Sequence, residues 1–342
     1  MKMRIFRNLS ACLLLAFPFF VEGCSTAPEY DLIQGYAQGG TYSVRYSTRG
    51  VSEDPRAIRE AVDSILTLVD TTLSGYNKGS ILSRYNAGVE VVPNDLLLDV
   101  TAMCREFFEE TGGALDVASG PLFDAWGFGF RNGSMPSPEA VDSIRALCGM
   151  DKVGEDLKPL AEGVHPVLNF NAVAQGYTCD MVAAYLHSLG VHDMLVDIGE
   201  IYCEGVNAKG NCWKVGVDRP VDGNMTPGQD LDGIWQGSGT GCGIVTSGNY
   251  RKFYEKDGRK YSHTIDPRTG YPVDHSLLSA TIVAPTAAAA DAYATYCMVI
   301  GLAEAQAFLS SRDDLEGYLI YDEGGEMKEW ASAGFNIVSE GH

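Results

Sequence analysis

The stretch that most constrains this chain is Tyr261-Ser262-His263-Thr264-Ile265-Asp266-Pro267-Arg268-Thr269-Gly270. It holds an imidazole, a carboxylate, a guanidinium and several hydroxyls, and core segments do not look like this, because each buried polar group needs its own partner. Pro267 stiffens the backbone and Gly270 lets it turn sharply. The fold therefore has to present the segment as a rigid loop. Upstream, Thr246-Ser247-Gly248-Asn249-Tyr250 is another small polar turn. Downstream, 287–300 reads as a helix on which Asp291 and Thr295 stand four apart, so both point to one face. A base candidate, a carboxylate and a hydroxyl so close in the chain make a reasonable catalytic centre.

The N-terminus reads as an address. Lys2, Arg4 and Arg7 precede a short apolar run, 11–21, too short to span a bilayer unaided. Val21-Glu22-Gly23-Cys24 resembles a bacterial lipobox, which implies a signal peptide over 1–23, cleavage before Cys24 and acylation of its thiol. Glu22 is unusual inside such a box, and an ordinary secretory signal with an incidental cysteine is the alternative. Residues 24–38 read as a tether, and 39–342 as the folded domain. Ser25 after the cysteine favours outer-membrane sorting by analogy.

The formal net charge of −20 argues against nucleic acid, which wants basic patches, and against a polybasic membrane contact. Such acidity suits divalent cations, although a solvated surface explains most of it. The chain has nine cysteines. Setting aside Cys12 and Cys24 leaves an odd number, which cannot all pair. Cys104, Cys148, Cys179 and Cys297 fall on apolar helical faces as small hydrophobes. No C-x-x-C spacing marks a zinc site or redox dithiol. Cys203 and Cys212 are candidates to bridge a hairpin.

Periodicity predicts strands over 41–46, 194–198, 213–218, 279–284, 317–321 and 335–338. Helices are predicted from Pro55, over 81–86, over 96–111, from Ser137-Pro138, from the 169–176 segment up to Gly190, and over 287–300. The segment 220–243 reads as a surface excursion. Without strict alternation of strand and helix, the expectation is an α+β fold, one domain of mixed sheets and helices that divides, if at all, into two lobes with the ligand site between them.

Taken singly, each candidate has a bland reading. Asp291 and Thr295 are either a hard-cation site or a helix-dipole acid with a threonine beside it. His263 alone is a base or a structural histidine. Asp116 contacts a ligand or caps a turn. Tyr76 is a stacking platform or a surface aromatic. Trp126 and Phe128 pack in the core or edge a pocket. The start of the helix after Asn169 is a natural anion site. Jointly these features suggest a flat, phosphorylated ligand beside a metal and a base.

Several blocks in order carry a family resemblance. They are Ser74-Gly75-Tyr76 with Ser80 and Asn86; Gly113-Ala114-Leu115-Asp116 with Pro121-Leu122 and Trp126-Gly127-Phe128-Gly129; and Asn169 to Asp180. Thr246-Ser247-Gly248, Ser262-His263-x-Ile265-Asp266-Pro267-x-Thr269-Gly270 and Ala290-Asp291-Ala292-x-Ala294-Thr295 complete them. Over most of the chain, from about Gly39 to Leu309, it resembles the FAD:protein FMN transferases, the ApbE family. The resemblance implies that FAD is split and FMN is joined through a phosphoester to a threonine or serine of a target protein, releasing AMP. The implied targets carry D-x-x-[ST]-G-A-[ST], such as extracytoplasmic subunits of ion-translocating electron-transport complexes. This chain has no such segment.

The resemblance further implies FAD contacts at Gly39, Tyr76, Ala114, Leu115, Asp116, Asn169, Gln175, Ser247, Gly248, Thr264 and Ile265. It implies Mg²⁺ on Asp291, Thr295 and the carbonyl of Ala172, with His263 as base and Asp266 either orienting it or bracing the turn. Asn169, Gln175 and Asn249 depart from the family's usual charged residues, which puts the adenosine contacts in doubt more than the metal. Two other functions remain open. One is Mg²⁺-dependent hydrolysis of FAD to FMN and AMP, and the other is an FAD-binding lipoprotein that delivers FAD without chemistry. The expected location is outside the cytoplasm, on the inner or outer membrane facing the periplasm, held by the lipid anchor alone.

Overall fold

An antiparallel sheet of eight strands organises the protein, in the order β1 (Tyr30–Ala37), β2 (Gly40–Ser47), β3 (Met194–Asp197), β4 (Ile201–Glu204), β7 (Cys242–Gly248), β12 (Leu277–Ala284), β13 (Glu316–Glu323) and β14 (Glu326–Ala331). The computed structural model describes residues 30–130, 135–221, 223–224, 226, 228–249, 253–256 and 259–338. Cys24 and residues 1–23, where a signal peptide is expected, lie outside those residues. A second sheet joins β15 (Ile337–Val338), β6 (Leu231–Gln236) and β5 (Lys214–Asp218). Two hairpins complete the strands: β8 (Phe253–Lys256) with β9 (Arg259–Ser262), and β10 (Ile265–Asp266) with β11 (Tyr271–Pro272).

The helices are α1 (Pro55–Leu73), α2 (Ile81–Asn86), α3 (Asp95–Glu110), α4 (Gly120–Ala125), α5 (Pro138–Arg145), α6 (Ala174–Ser188), α7 (Ala287–Ile300) and α8 (Leu302–Ser310). Their starts follow local chemistry. Asp54, Ser80, Asn94, Ser137 and Thr286 each accept a first-turn N–H, and Pro55 and Pro138 fill first-turn positions where no N–H is missed. Helices α6 and α7 cross closely and pack on one face of the large sheet. The crossing needs glycine: a Cβ on Gly176 would lie 2.3 Å from the carbonyl oxygen of Ala287, and one on Gly243 would lie 2.3 Å from the Ala287 Cα. The alanine-rich start of α7 is the matching surface. The opposite face of the sheet packs against the small sheet through Trp213, Trp235, Ile244, Tyr318 and Phe335.

The fold is the expected single α+β domain. Three expectations change. Residues 30–37, read as tether, form the edge strand β1, paired with β2 along its whole length. Their polar character is that of an edge, with only Ile33 fully inward. The supposed surface excursion over 220–243 contains β6, whose Trp235 is buried against β5, and the start of β7. Cys203 does not bridge to Cys212; its partner across the ladder is Cys242, and every described cysteine is a free thiol. Cys104, Cys179 and Cys297 are buried on helices as anticipated, and Cys148 is buried just beyond the end of α5 rather than on it.

Candidate active site

A cleft of about 320 Å³ opens where the α2–α4 region meets the helix-covered face of the large sheet. Five separated segments line it: Tyr76, the 114–119 turn, the 169–172 segment before α6, the end of β7 at 246–248, and the 263–267 turn. Asp291 and Thr295 line it from α7. The loop that dominates the sequence thus sits at the site, and its rigidity has an identifiable source. The amide oxygen of Asn249 accepts from the hydroxyls of Ser262 (2.5 Å) and Thr264 (2.8 Å), the residues on either side of His263. The backbone N–H of Thr264 donates to the Ser262 hydroxyl at 3.0 Å. Asn249 is itself fixed to the Leu278 carbonyl, so the turn is clamped to the sheet. The His263 ring meets the edge of Phe128, with centroids 6.4 Å apart. On the other side of the turn, Trp126 donates its indole N–H to the Gly270 carbonyl at 2.8 Å, tying the Trp126-Gly127-Phe128-Gly129 block to the same loop. Trp126 is buried, whereas Phe128 edges the cleft.

Asp291 is buried and accepts the N–H of Gly176 at 3.2 Å. Helix α6 therefore directs this first-turn N–H at a carboxylate of the chain itself. The arrangement is reciprocal. Asp180 on α6 accepts from Ala287 and Ala288 at the start of α7, both at 2.8 Å. Burial pushes the Asp291 carboxyl up to about 7, against the Gly176 N–H that lowers it and with the neighbouring Asp180 adding to the rise. Asp180 is raised to about 6 by burial, partly offset by its two backbone donors. The Thr295 hydroxyl, one helical turn beyond Asp291, lies 3.4 Å from that of Ser247.

The charge of the cleft is one-sided. Asp116, Glu200 and Asp291 line it, and no lysine or arginine does among the described residues. Asp116 takes the Ala118 N–H at 2.9 Å, and its burial raises it to about 7. A ligand with phosphates would meet no cationic side chain here. A buried carboxylate with one backbone donor, a hydroxyl on the next turn and the nearby Ala172 form an oxygen-rich set suited to a hard cation such as Mg²⁺. The chain's own residues therefore fit the metal.

Of the predicted positions, Tyr76, Ala114, Leu115, Asp116, Asn169, Ser247, Gly248, Thr264 and Ile265 come together at the cleft, with Ala172, Asp291, Thr295 and His263. Tyr76 is 67% exposed, with its ring edge-on to Phe130 at 5.1 Å, so one aromatic face is free at the rim. Asn169 is buried, and its side-chain oxygen accepts the Asn171 N–H at 3.0 Å. Three predicted positions do not line the cleft. The Asp266 carboxylate is engaged by the guanidinium of Arg268 (2.9 and 3.0 Å) and by the Arg268 N–H, so it braces the turn. Gln175 donates to the Ile198 carbonyl at 3.2 Å, supporting the turn that carries Glu200. Gly39 sits at the β1–β2 turn with φ +84°. The adjacent Gln38 holds that turn to Thr178 of α6, at 2.7 Å.

Glu200 and Asn171 also line the cleft, and sequence reasoning did not single them out. Glu200 follows the tight Ile198-Gly199 turn, where φ at Gly199 is +92°. A carboxylate directly after such a glycine was the available signal.

Among known proteins, residues 39–319 match the model of the ApbE family. The chain is 32% identical to the FAD:protein FMN transferase of Escherichia coli K12, covering 96% of this chain and 97% of that protein. It is 32% identical to the Salmonella typhimurium protein of the same name over 99% of both chains. The flavin transferase ApbE of Vibrio cholerae superposes with a TM-score of 0.75 at 30% identity, covering 90% of this chain and 98% of that one. The apo flavinyl transferase ApbE of Pseudomonas stutzeri gives 0.78 at 30% identity, covering 90% and 95%.

Proposed function

The chain belongs to the ApbE family and is an FAD:protein FMN transferase, as its relatives are named, and we propose that it moves FMN onto a serine or threonine hydroxyl of an extracytoplasmic protein, with Mg²⁺ held by Asp291, Thr295 and the Ala172 carbonyl. One observation carries the reading: a cleft with His263 at its wall and a buried Asp291–Thr295 pair, lined by three carboxylates and no basic side chain among the described residues. A pyrophosphate can enter such a cleft only with its charge compensated. Held by Asp291, Thr295 and the Ala172 carbonyl, Mg²⁺ would supply the positive charge that offsets the pyrophosphate.

The chain's own residues do the rest. Tyr76 offers its exposed face to the flavin ring. Asn169 and Asp116 hydrogen-bond FAD, and the backbone at Thr264 and Ile265 borders it. Asn249 holds the turn on both sides of His263, so the imidazole stands still relative to the cleft. His263 takes the proton from the target hydroxyl. The hydroxyl oxygen forms the new bond to the FMN phosphorus, the phosphoanhydride bond breaks, and AMP leaves with the bridging oxygen. In-line positioning supplies much of the rate. Asp266 acts by keeping the turn closed with Arg268, and Gln175 by supporting the Glu200 turn.

The target is a protein with a D-x-x-[ST]-G-A-[ST] site, of the kind found in ion-translocating electron-transport complexes. Cys24 carries the lipid that holds the enzyme on the periplasmic side of the membrane; incorporation of labelled palmitate, lost in Cys24→Ser, tests this. The transfer itself is tested by mixing the protein with FAD, Mg²⁺ and a domain bearing that motif. The expected result is a covalent flavin band and a mass gain matching FMN, abolished by chelation and by Asp291→Ala. AMP release without covalent flavin would establish the hydrolase instead. FAD that stays whole would establish a delivery protein.

A further inference from the structure

The C-terminal end of α6 carries a second cluster of metal-binding groups. His187 lies in the last turn of α6, His192 in the connection to β3, and Glu204 ends β4. The Nε2 of His187 is 2.6 Å from Oε2 of Glu204, and Nδ1 of His192 is 3.1 Å from Oε1 of Glu204. One ligand atom from each of the three lies within 4.8 Å of the others. The two imidazoles are 5.3 Å apart at 34°, so both face the same carboxylate. We propose that His187, His192 and Glu204 form a binding site for a borderline transition cation, of which Zn²⁺ is the type, separate from the active site.

The donor set decides the class of ion. Two neutral imidazoles and one carboxylate suit Zn²⁺, Co²⁺, Ni²⁺ or Cu²⁺ and not the oxygen-seeking Mg²⁺ or Ca²⁺. With metal–donor bonds of about 2.0–2.2 Å, donors around a tetrahedral ion stand roughly 3.4 Å apart. The donor separations, none above 4.8 Å, lie within roughly 1.5 Å of this value, a difference that side-chain rotation can close. Three protein donors leave a position for water, and the site is open to it: the side chains of His192 and His187 are 71% and 34% exposed, and that of Glu204 is 19% exposed.

The frame behind the donors is fixed. The Glu204 carbonyl accepts the Trp213 indole N–H at 2.9 Å, and Glu204 is paired with Met194 in the β3–β4 ladder. The Tyr202 hydroxyl lies 3.1 Å from the Glu204 carboxylate, and its ring stands edge-on to His187. Such an outer hydrogen bond orients a ligating carboxylate. A cation here also sits at the negative end of the α6 dipole. The eleven positions from Gly176, which meets Asp291, to His187 span about 16 Å of helix. The two sites therefore lie at opposite ends of α6 and do not share a ligand.

The test uses the full-length chain without a polyhistidine tag, in millimolar Mg²⁺ to occupy the hard-cation site, titrated with Zn²⁺ by calorimetry. One equivalent should bind. His187→Gln and His192→Gln should each weaken binding at least tenfold while FMN transfer stays at the parent rate, which also shows that the variants are folded. Co²⁺ should give the visible absorption of a low-coordinate nitrogen–oxygen site, lost in His187→Gln. His192 is largely exposed, so its variant remains informative if His187→Gln folds poorly. Absence of saturable Zn²⁺ binding, or equal binding by parent and both variants, would overturn the proposal and leave the trio as a hydrogen-bonded helix end.

Discussion

Asn249 is the residue on which the His263 turn hangs, and replacing it tests the positioning argument directly. In Asn249→Ala the hydroxyls of Ser262 and Thr264, 9% and 8% exposed, lose their acceptor. Each buried hydroxyl without a partner costs about 1–3 kcal/mol. Part of the Ser262 requirement is still met by the Thr264 N–H it accepts, so about 2–4 kcal/mol is the expected loss. At roughly 2 °C per kcal/mol for a domain near 300 residues, the melting temperature should fall by about 4–8 °C. Catalysis should fall further than stability. A displacement of about 1 Å at a catalytic group costs on the order of a hundredfold in rate. The kcat for FMN transfer should therefore drop about 10–100-fold, with little change in FAD affinity. Asn249→Asp keeps an acceptor for both hydroxyls and should retain most of the activity. Calorimetric melting and single-turnover transfer on the three proteins measure both quantities. A variant that melts early but transfers at the parent rate would refute the idea that the clamp positions His263.

Three further outcomes follow from the geometry. Gly176→Ala places a Cβ against the Ala287 carbonyl at 2.3 Å and should destabilise the protein by on the order of 2 kcal/mol or more, with a raised Mg²⁺ requirement because the α6–α7 crossing carries Asp291; chemical denaturation and a metal titration read these effects. Asp116 is held at about 7 by burial, above its unfolded value, so the folded state keeps a proton that the unfolded state gives up. Its favourable contribution is complete at low pH and is lost as pH rises from about 4 to about 7, so Asp116→Asn should match the parent at pH 4 and exceed it at pH 8, by on the order of 4 kcal/mol if the whole shift is expressed, in urea unfolding. Trp126→Phe removes the indole donor to Gly270 and should cost about 1 kcal/mol, with loss of transfer rate exceeding loss of FAD binding in a KM-against-kcat comparison.

The local elements were legible because their causes are local. Asp54-Pro55, Ser80, Ser137-Pro138 and Thr286 open helices through their own backbone chemistry, and the helical spacing of Ile58, Val62 and Val69 marks the buried face of α1. The strands missed were those without alternation. Residues 30–37 are polar because they form an edge, and 231–236 carry an aspartate that takes the Tyr318 hydroxyl and a glycine against which Ile337 packs. The Asp291–Thr295 helix face and the Pro–Gly turn beside His263 follow from sequence alone, but each by itself also fits a structural role, and it is their meeting at the cleft that singles them out.

What the sequence determined by itself was the set of candidate site residues, their local conformations and the family pattern that joins them. The tertiary structure decided which side chains line the cleft and which are taken up by one another. Gln175 turned to Ile198 and the Gly176 N–H to Asp291, whereas the Asp266–Arg268 pair, two residues apart, is local. It also brought Glu200 to the cleft, and His187, His192 and Glu204 to one point. The physical reason is that a partner far along the chain leaves no periodic signal in it. Such contacts exist only where helices and strands cross, and those crossings are set by the shape of small residues such as Gly176 and Gly243, which a sequence pattern records only as an absence of side chain.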